Sequence, residues 1–367
     1  MICRIEDLKN VVSILLTAVD TSELSRITEN LELKVEDEIL NLSVTNGEYF
    51  VKTRIPIYEN INFHATVNAE LFLKLLSKTT TETVEFNISE NSLIVAGNGE
   101  YNIPIIYDGD KPLTIPEIEV ENITTNFSVE SNILKSILQY NSKELTRGVV
   151  SNPVQKLYYI DNDGAITFTS GACVNEFKLP CTVKMLLNPK VVNLFKLFKE
   201  DTVEVSLGHS VVNDIEQTRV KFNSEYLTIS AILPSSDKLL SSVPVSAIRG
   251  RAYNDYPYSV VVNRLQLLQT IDRLLLFSSN ALKPCSLFEF GATTVKVYDS
   301  SSNNFETIRY DAPSNITDGY SATMNLLDFK NILESYTDNS IKLNFGDSQA
   351  FVVAKPGVYT IIPEVMM

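Results

Sequence analysis

The sequence predicts an α+β protein built from three similar domains in tandem. Three observations carry this. An Asn followed by a short apolar helix pattern occurs at Asn68, Asn188 and Asn325; an alternating run follows each helix; and the three Asn residues lie 120 and 137 positions apart. Those separations are domain-sized and too long for solenoid repeats.

The elements follow in order. Leu8, Val11, Val12 and Leu15 make one apolar face and predict a helix over 6–19, and 31–35 and 40–44 alternate as strands. Asn68 is the N-cap of a helix over 69–78, since its side chain can accept from the open N–H groups of the first turn. The alternation over 84–95, broken at Glu90-Asn91, predicts a hairpin. A joint at 107–126 leads to a second round: a helix over 131–147, a tight turn at Asp161-Asn-Asp163-Gly164, and a helix over 189–200 opened by Asn188 and Pro189. The hairpin over 203–220 is expected to turn near Gly208. A longer joint at 234–258, with room for an inserted loop, precedes helices over 263–274 and 328–336, and the last hairpin spans 341–353 with its turn at Gly346-Asp347. The expected domains are 1–118, 119–246 and 247–367.

Composition narrows the function. The 367 residues are 44% hydrophobic and 21% charged, as in globular proteins and unlike disordered chains. No apolar run approaches a membrane span and the start lacks signal-peptide order, so the chain is expected to stay where it is made. Cys3, Cys173, Cys181 and Cys285 are scattered, with only His64 and His209 to join them, so reduced thiols are expected and a zinc site is not. No metal or cofactor is expected. The Asp161–Gly164 run lacks the later Gly and the twelfth-position Glu of a calcium loop. Neither His lies near a nucleophile-elbow pattern, and no Walker A or GxGxxG run exists, so catalysis is not expected.

The charge is unevenly placed. The chain carries −14 overall, yet the six predicted helices hold twelve Lys and Arg against eight Asp and Glu, a net of +4 on a remainder of −18. Lys74 and Lys78 lie four apart opposite Leu71, Leu75 and Leu76, and Lys196 and Lys199 three apart opposite Val192 and Phe195. A whole-surface nucleic-acid coat is excluded, but a local basic face is not.

The triplicated architecture resembles the beta sliding clamp of bacterial DNA polymerase III along the whole chain. Thr169-Ser-Gly171-Ala-Cys-Val174 is similar to that family's Thr-Asp-Gly-His-Arg-Leu loop, Asn325-Leu-Leu-Asp-Phe-Lys-Asn-Ile-Leu333 to its third-domain helix start, and Tyr359-Thr-Ile-Ile-Pro363-Glu-Val-Met-Met367 to its tail. The family's His-Arg is Ala172-Cys173 here, a frequent pocket Tyr aligns with Asp328, and the tail lacks its usual Arg, departures expected of a divergent clamp such as a phage would encode.

The resemblance implies a cytoplasmic DNA sliding clamp, in a bacterium or an infected host. Two chains would close into a six-domain ring with helices inside and sheets outside. It would thread double-stranded DNA without sequence preference, be opened by a clamp loader and tether a DNA polymerase. The inward-facing candidates are Arg26, Lys74, Lys78, Lys135, Arg147, Lys196, Lys199 and Arg264. Leu157, Thr169, Gly171, Val174, Asn325, Gln349, Ile361, Ile362, Pro363 and Met366 would line a pocket for a partner's apolar peptide, and Tyr101, Ile103, Leu274 and Phe277 would form the dimer seam. The rival reading is a viral structural or interaction protein of the same duplicated domains that does not encircle DNA.

Overall fold

In the computed structural model, the described residues are all but 20–26, 58–60, 146–149, 151, 213, 235, 279–283, 348–349 and 366–367. They divide into two compact units, Met1–Leu134 with Lys190–Pro234, and Lys135–Pro189 with Ser235–Met367. The middle repeat therefore contributes to both.

The first unit holds an eight-stranded antiparallel sheet in the order Asn122–Glu130, Thr202–Val212, Ile215–Asn223, Leu227–Ile232, Tyr49–Pro56, Ile39–Thr45, Asn30–Glu36, His64–Asn68. Strands of the first and middle repeats join where Ile229 pairs with Val51. A four-stranded sheet runs Ile2–Arg4, Thr83–Ser89, Ser92–Ala96, Glu100–Pro104. Helices α1 (Ile5–Ala18) and α2 (Ala69–Lys78) bury Leu8, Val12, Leu15, Phe72, Leu73 and Leu76. Their apolar residues recur at helical spacing, so each helix presents one stripe to the core and its charges to water.

The middle repeat's first helical stretch is α3 (Ser131–Ser136), then a π-turn over Ile137–Asn141 and α4 (Ser142–Leu145). The stretch predicted over 189–200 is α5 (Pro189–Asn193) and a 3-10 turn at Leu194–Leu197, shorter than expected because Phe198 leaves the helix in an extended conformation.

The second unit repeats the plan. Its eight strands run Lys184–Leu187, Tyr158–Asp161, Gly164–Phe168, Ala172–Glu176, Val358–Pro363, Ala350–Lys355, Ser340–Phe345, Tyr258–Asn263, and its four-stranded sheet runs Phe305–Arg309, Thr294–Tyr298, Cys285–Phe290, Tyr320–Asn325. The long joint folds as α6 (Asp237–Ser241) and α7 (Val245–Ala252); α8 (Arg264–Leu275) and α9 (Leu326–Ser335) complete the unit.

Asn68 and Asn325 cap the helices predicted to start on them, and Asn263 caps α8 in the same way. Asn68 accepts from Leu71 N at 2.9 Å, Asn263 from Gln266 N at 2.9 Å, and Asn325 from Leu327 N and Asp328 N at 2.9 and 3.1 Å. Each such cap is worth about 1 kcal/mol. Gly164 takes φ 144°, and a Cβ there would meet Asn175 O at 2.3 Å, so the 161–164 turn is a hairpin that needs its glycine. The turn near Gly208 is a correction. Gly208 lies inside Thr202–Val212, opposite Arg219, and the chain reverses only after Val212. Gly208 is there because Asn122 O crosses where its Cβ would be, at 2.4 Å, and not because the chain bends.

Candidate functional site

The described residues predicted to line a partner-peptide pocket all lie within the second unit. Ala172–Glu176 pairs with Val358–Pro363, Ala172 opposite Ile361 and Val174 opposite Tyr359. Successive residues on a strand point to opposite faces. Val174 and Ile361 therefore enter one apolar cluster with Val154, Tyr159, Val243, Ile248 and Ala252, while Ile362 enters a separate cluster with Phe329, Phe345 and Phe351. Ile362 thus lines the opposite side of the sheet from Ile361, which corrects its placement in the groove. Leu157 is only half-buried against the first cluster, as are Phe168, Leu239, Leu240, Val245 and Tyr359. Leu239, Leu240 and Val245 come from α6 and α7, which sequence reasoning recognised only as loop; DKLL in the long joint was the available signal.

The loop before this sheet is fixed by one carboxylate. Glu144 is 1% exposed, and its Oε1 accepts from Thr169 Oγ1 at 2.7 Å, Thr169 N at 3.1 Å and Gly171 N at 3.1 Å. A buried carboxylate must gather donors, and this one gathers the loop. Glu144 was counted only as a helix charge. Gln155 Nε2 adds a bond to Thr169 O at 3.3 Å.

The tail closes the far side. Val365 N donates to Thr323 O at 2.9 Å, and Tyr320 Oη donates to Glu364 Oε1 at 2.8 Å. Burial pushes the Glu364 carboxyl up despite that hydrogen bond. Pro363 is half-buried beside it, and Asn325 spends its carboxamide oxygen on capping α9. Gln349 and Met366 lie outside the described residues.

Of the basic candidates, Lys74, Lys78, Lys196 and Lys199 are exposed and Lys135 is half-buried. Lys74 pairs with Glu70 one turn back, Lys196 Nζ reaches Asn193 Oδ1 at 3.2 Å, and Lys199 Nζ reaches Asn10 Oδ1 at 3.1 Å. Such surface contacts are weak enough to exchange for phosphates. Arg264 is different. Its Nε donates to Asp338 O at 2.9 Å and its Nη1 to Leu333 O at 3.2 Å, so it satisfies carbonyls at the end of α9. Arg26 and Arg147 lie outside the described residues.

At the predicted seam, Ile103 and Leu274 are each 2% exposed and face their own cores, whereas Tyr101 and Phe277 are 41% and 57% exposed. The correction follows from strand and helix alternation: Ile103 pairs with Leu93 on the inner face of its sheet, and Leu274 belongs to the apolar stripe of α8. Leu276, inside the predicted 274–277 stretch, is 81% exposed, and Phe305 is 52% exposed on an edge strand. A cavity of about 510 Å³ lies elsewhere, in the first unit, between Val11 and Ile14 of α1 and the Ile55–Ile57 stretch. Among the described residues no group of His, Cys, Asp and Glu is placed to hold a metal, and no helix is long and apolar enough to cross a membrane.

Residues 1–116 match the family model described as DNA polymerase III beta subunit, N-terminal domain. The whole chain superposes on solved structures of that protein: the beta subunit of Streptococcus pyogenes at TM-score 0.82 and 16% identity, that of Pseudomonas aeruginosa at 0.81 and 14%, and the DNA polymerase sliding clamp of Bacillus subtilis at 0.77 and 15%. The matches cover 100% of this chain and 99%, 99% and 98% of those chains respectively. The chain has the sliding-clamp fold. No curated protein matches its sequence. At identities this low the clamp fold is what is shared.

Proposed function

We propose that the protein is a DNA sliding clamp, a non-catalytic processivity factor in which two chains close around duplex DNA and tether a polymerase. The observation that carries the reading is full-length superposition on sliding clamps, at TM-scores near 0.8, by a chain in which Lys74, Lys78 and Lys196 stand exposed on helical segments. A ring that slides cannot read bases, because every specific contact would hold it in place; it needs a few exchangeable phosphate contacts, with topology supplying persistence. Lys74, Lys78, Lys196 and Lys199 have that character, and Lys135, Arg26 and Arg147 are proposed to join them. Clamp domains at 1–118, 119–246 and 247–367 are proposed on the helix-and-hairpin repeats that follow Asn68, Asn188 and Asn325.

The groove bounded by Leu157, Thr169, Gly171, Val174, Ile361 and Pro363 is proposed to take the apolar peptide of a polymerase or clamp loader, with Leu239, Leu240 and Val245 as further lining. Tethering there raises the polymerase's local concentration to roughly millimolar. The seam is proposed to pair the edge strands Glu100–Pro104 and Phe305–Arg309 of two chains, covering Tyr101, Phe305, Leu276 and Phe277.

The test is retention. Once loaded, the protein should stay on a closed DNA circle in high salt and be lost when the circle is cut. Equal loss from circular and linear DNA rejects encirclement.

A further inference from the structure

The hairpin of the middle repeat is longer than its two counterparts. Its strands run 11 and 9 residues, against 7 and 5 for Thr83–Ser89 with Ser92–Ala96 and 6 and 6 for Ser340–Phe345 with Ala350–Lys355. The flanking strands do not follow it out: Asn122–Glu130 pairs no further than His209, and Leu227–Ile232 no further than Arg219. Beyond those points it continues as a two-stranded ribbon.

The ribbon is braced at its base. Ser210 is fully buried; its Oγ donates to Glu119 O at 3.1 Å and accepts from Glu121 N at 3.3 Å. Arg219 Nη1 donates to Glu119 O at 2.9 Å and Nη2 to Gln217 Oε1 at 3.0 Å. At its tip Val211, Val212 and Ile215 are 60%, 38% and 63% exposed, and Ile123 at its foot is 55% exposed. By register Val212 and Ile215 share one face and Val211 takes the other. None of these apolar side chains serves a core. Exposed carboxylates surround them: Asp214, Glu216, Glu119 and Glu121.

We infer that this ribbon docks an extended, basic segment of another protein, one alternating aliphatic residues with Lys or Arg. An extended partner fits because Ile215–Gln217 is the ribbon's edge, where backbone pairing can continue while alternate side chains meet the Val and Ile tip. A basic one fits because its charges complement the carboxylate rim. The same rim repels a second copy of this chain, a nucleic acid or an anionic membrane. The braced base lowers the ordering cost of binding. The inference rests on residues of the first unit alone and does not depend on the proposed ring or peptide groove.

The experiment is fluorescence anisotropy on the full-length protein with a labelled nine-residue peptide alternating lysine and isoleucine. Saturable binding is expected, weakened at least tenfold by Val211→Ser with Ile215→Ser and, separately, by Asp214→Asn with Glu216→Lys, Asn being suited to the left-handed backbone of Asp214. These positions are exposed, so thermal melting should not move. Deleting residues 364–367, which follow the strand proposed to line the other groove, should leave binding intact. No binding, equal binding of a peptide with glutamate in place of lysine, binding indifferent to the tip variants, or binding lost with the tail deletion would overturn the proposal.

Discussion

The buried carboxylate of Glu144 holds Thr169 twice, through its hydroxyl at 2.7 Å and its backbone N–H at 3.1 Å. Because the same oxygen also takes Gly171 N, one side chain shapes the rim of the proposed peptide groove. Hydrogen bonds to charged groups contribute about 1.5–3 kcal/mol each, and they are not additive. Glu144→Ala should cost about 3 kcal/mol of stability and weaken partner-peptide binding more than tenfold. Calorimetric titration with an apolar clamp-binding peptide checks it; unchanged affinity would mean the loop does not form the rim.

At the seam, burial separates two kinds of variant. Tyr101→Arg or Phe277→Arg alters exposed surface and should yield a folded monomer of one 41.1 kDa chain in sedimentation. Ile103→Arg instead places a charge in a core, which costs several kcal/mol and should lower the melting temperature steeply. A stable dimer in both exposed variants would move the seam elsewhere.

The helix caps and two of the three hairpin turns were legible because Asn capping and alternation are local signals. Asn68 and Asn325 do what their sequence context predicts. What was not legible depended on distance in the chain. Nothing near Gly208 says that Asn122, 86 residues earlier, crosses against it, so a strand glycine looked like a turn. Similarly, alternation puts Ile361 and Ile362 on opposite faces, but only the pairing of Val358–Pro363 with Ala172–Glu176 shows which of them joins the Val174 cluster. Glu144 was invisible as a site residue because its partners lie 25 and 27 positions away.

The basic candidates should separate by function. Replacing Lys74, Lys78, Lys196 or Lys199 by Ala should leave stability within about 0.5 kcal/mol and lower the salt slope of DNA binding by at most about one phosphate each. Arg264→Ala should instead destabilise by about 1–2 kcal/mol, since Leu333 O and Asp338 O lose their donor. Parallel melting and DNA-binding titrations distinguish the two classes. A large DNA-binding loss from any one lysine, without loss of stability, would argue for a fixed contact rather than a sliding one.

The pH response of the first unit should pass through Glu117, which lies in the joint between the first two repeats and reaches Lys52 Nζ at 2.7 Å and Lys221 Nζ at 3.3 Å. Burial pushes its carboxyl up, but the hydrogen bonds and charges of the two lysines outweigh that and hold it below the usual carboxylate range. A carboxyl depressed on folding contributes its full stabilisation above its unfolded value, and that contribution drains away as pH falls through the folded one. Glu117→Gln should therefore destabilise the protein at pH 7 and nearly as much at pH 5, with the difference shrinking only as pH falls below the unfolded carboxyl's value and little left once the wild-type carboxyl is protonated. Urea midpoints measured for both proteins from pH 7 down to pH 3 should converge. Midpoints that stay separated by the same amount across that range would show that Glu117 acts through packing and not through its charge.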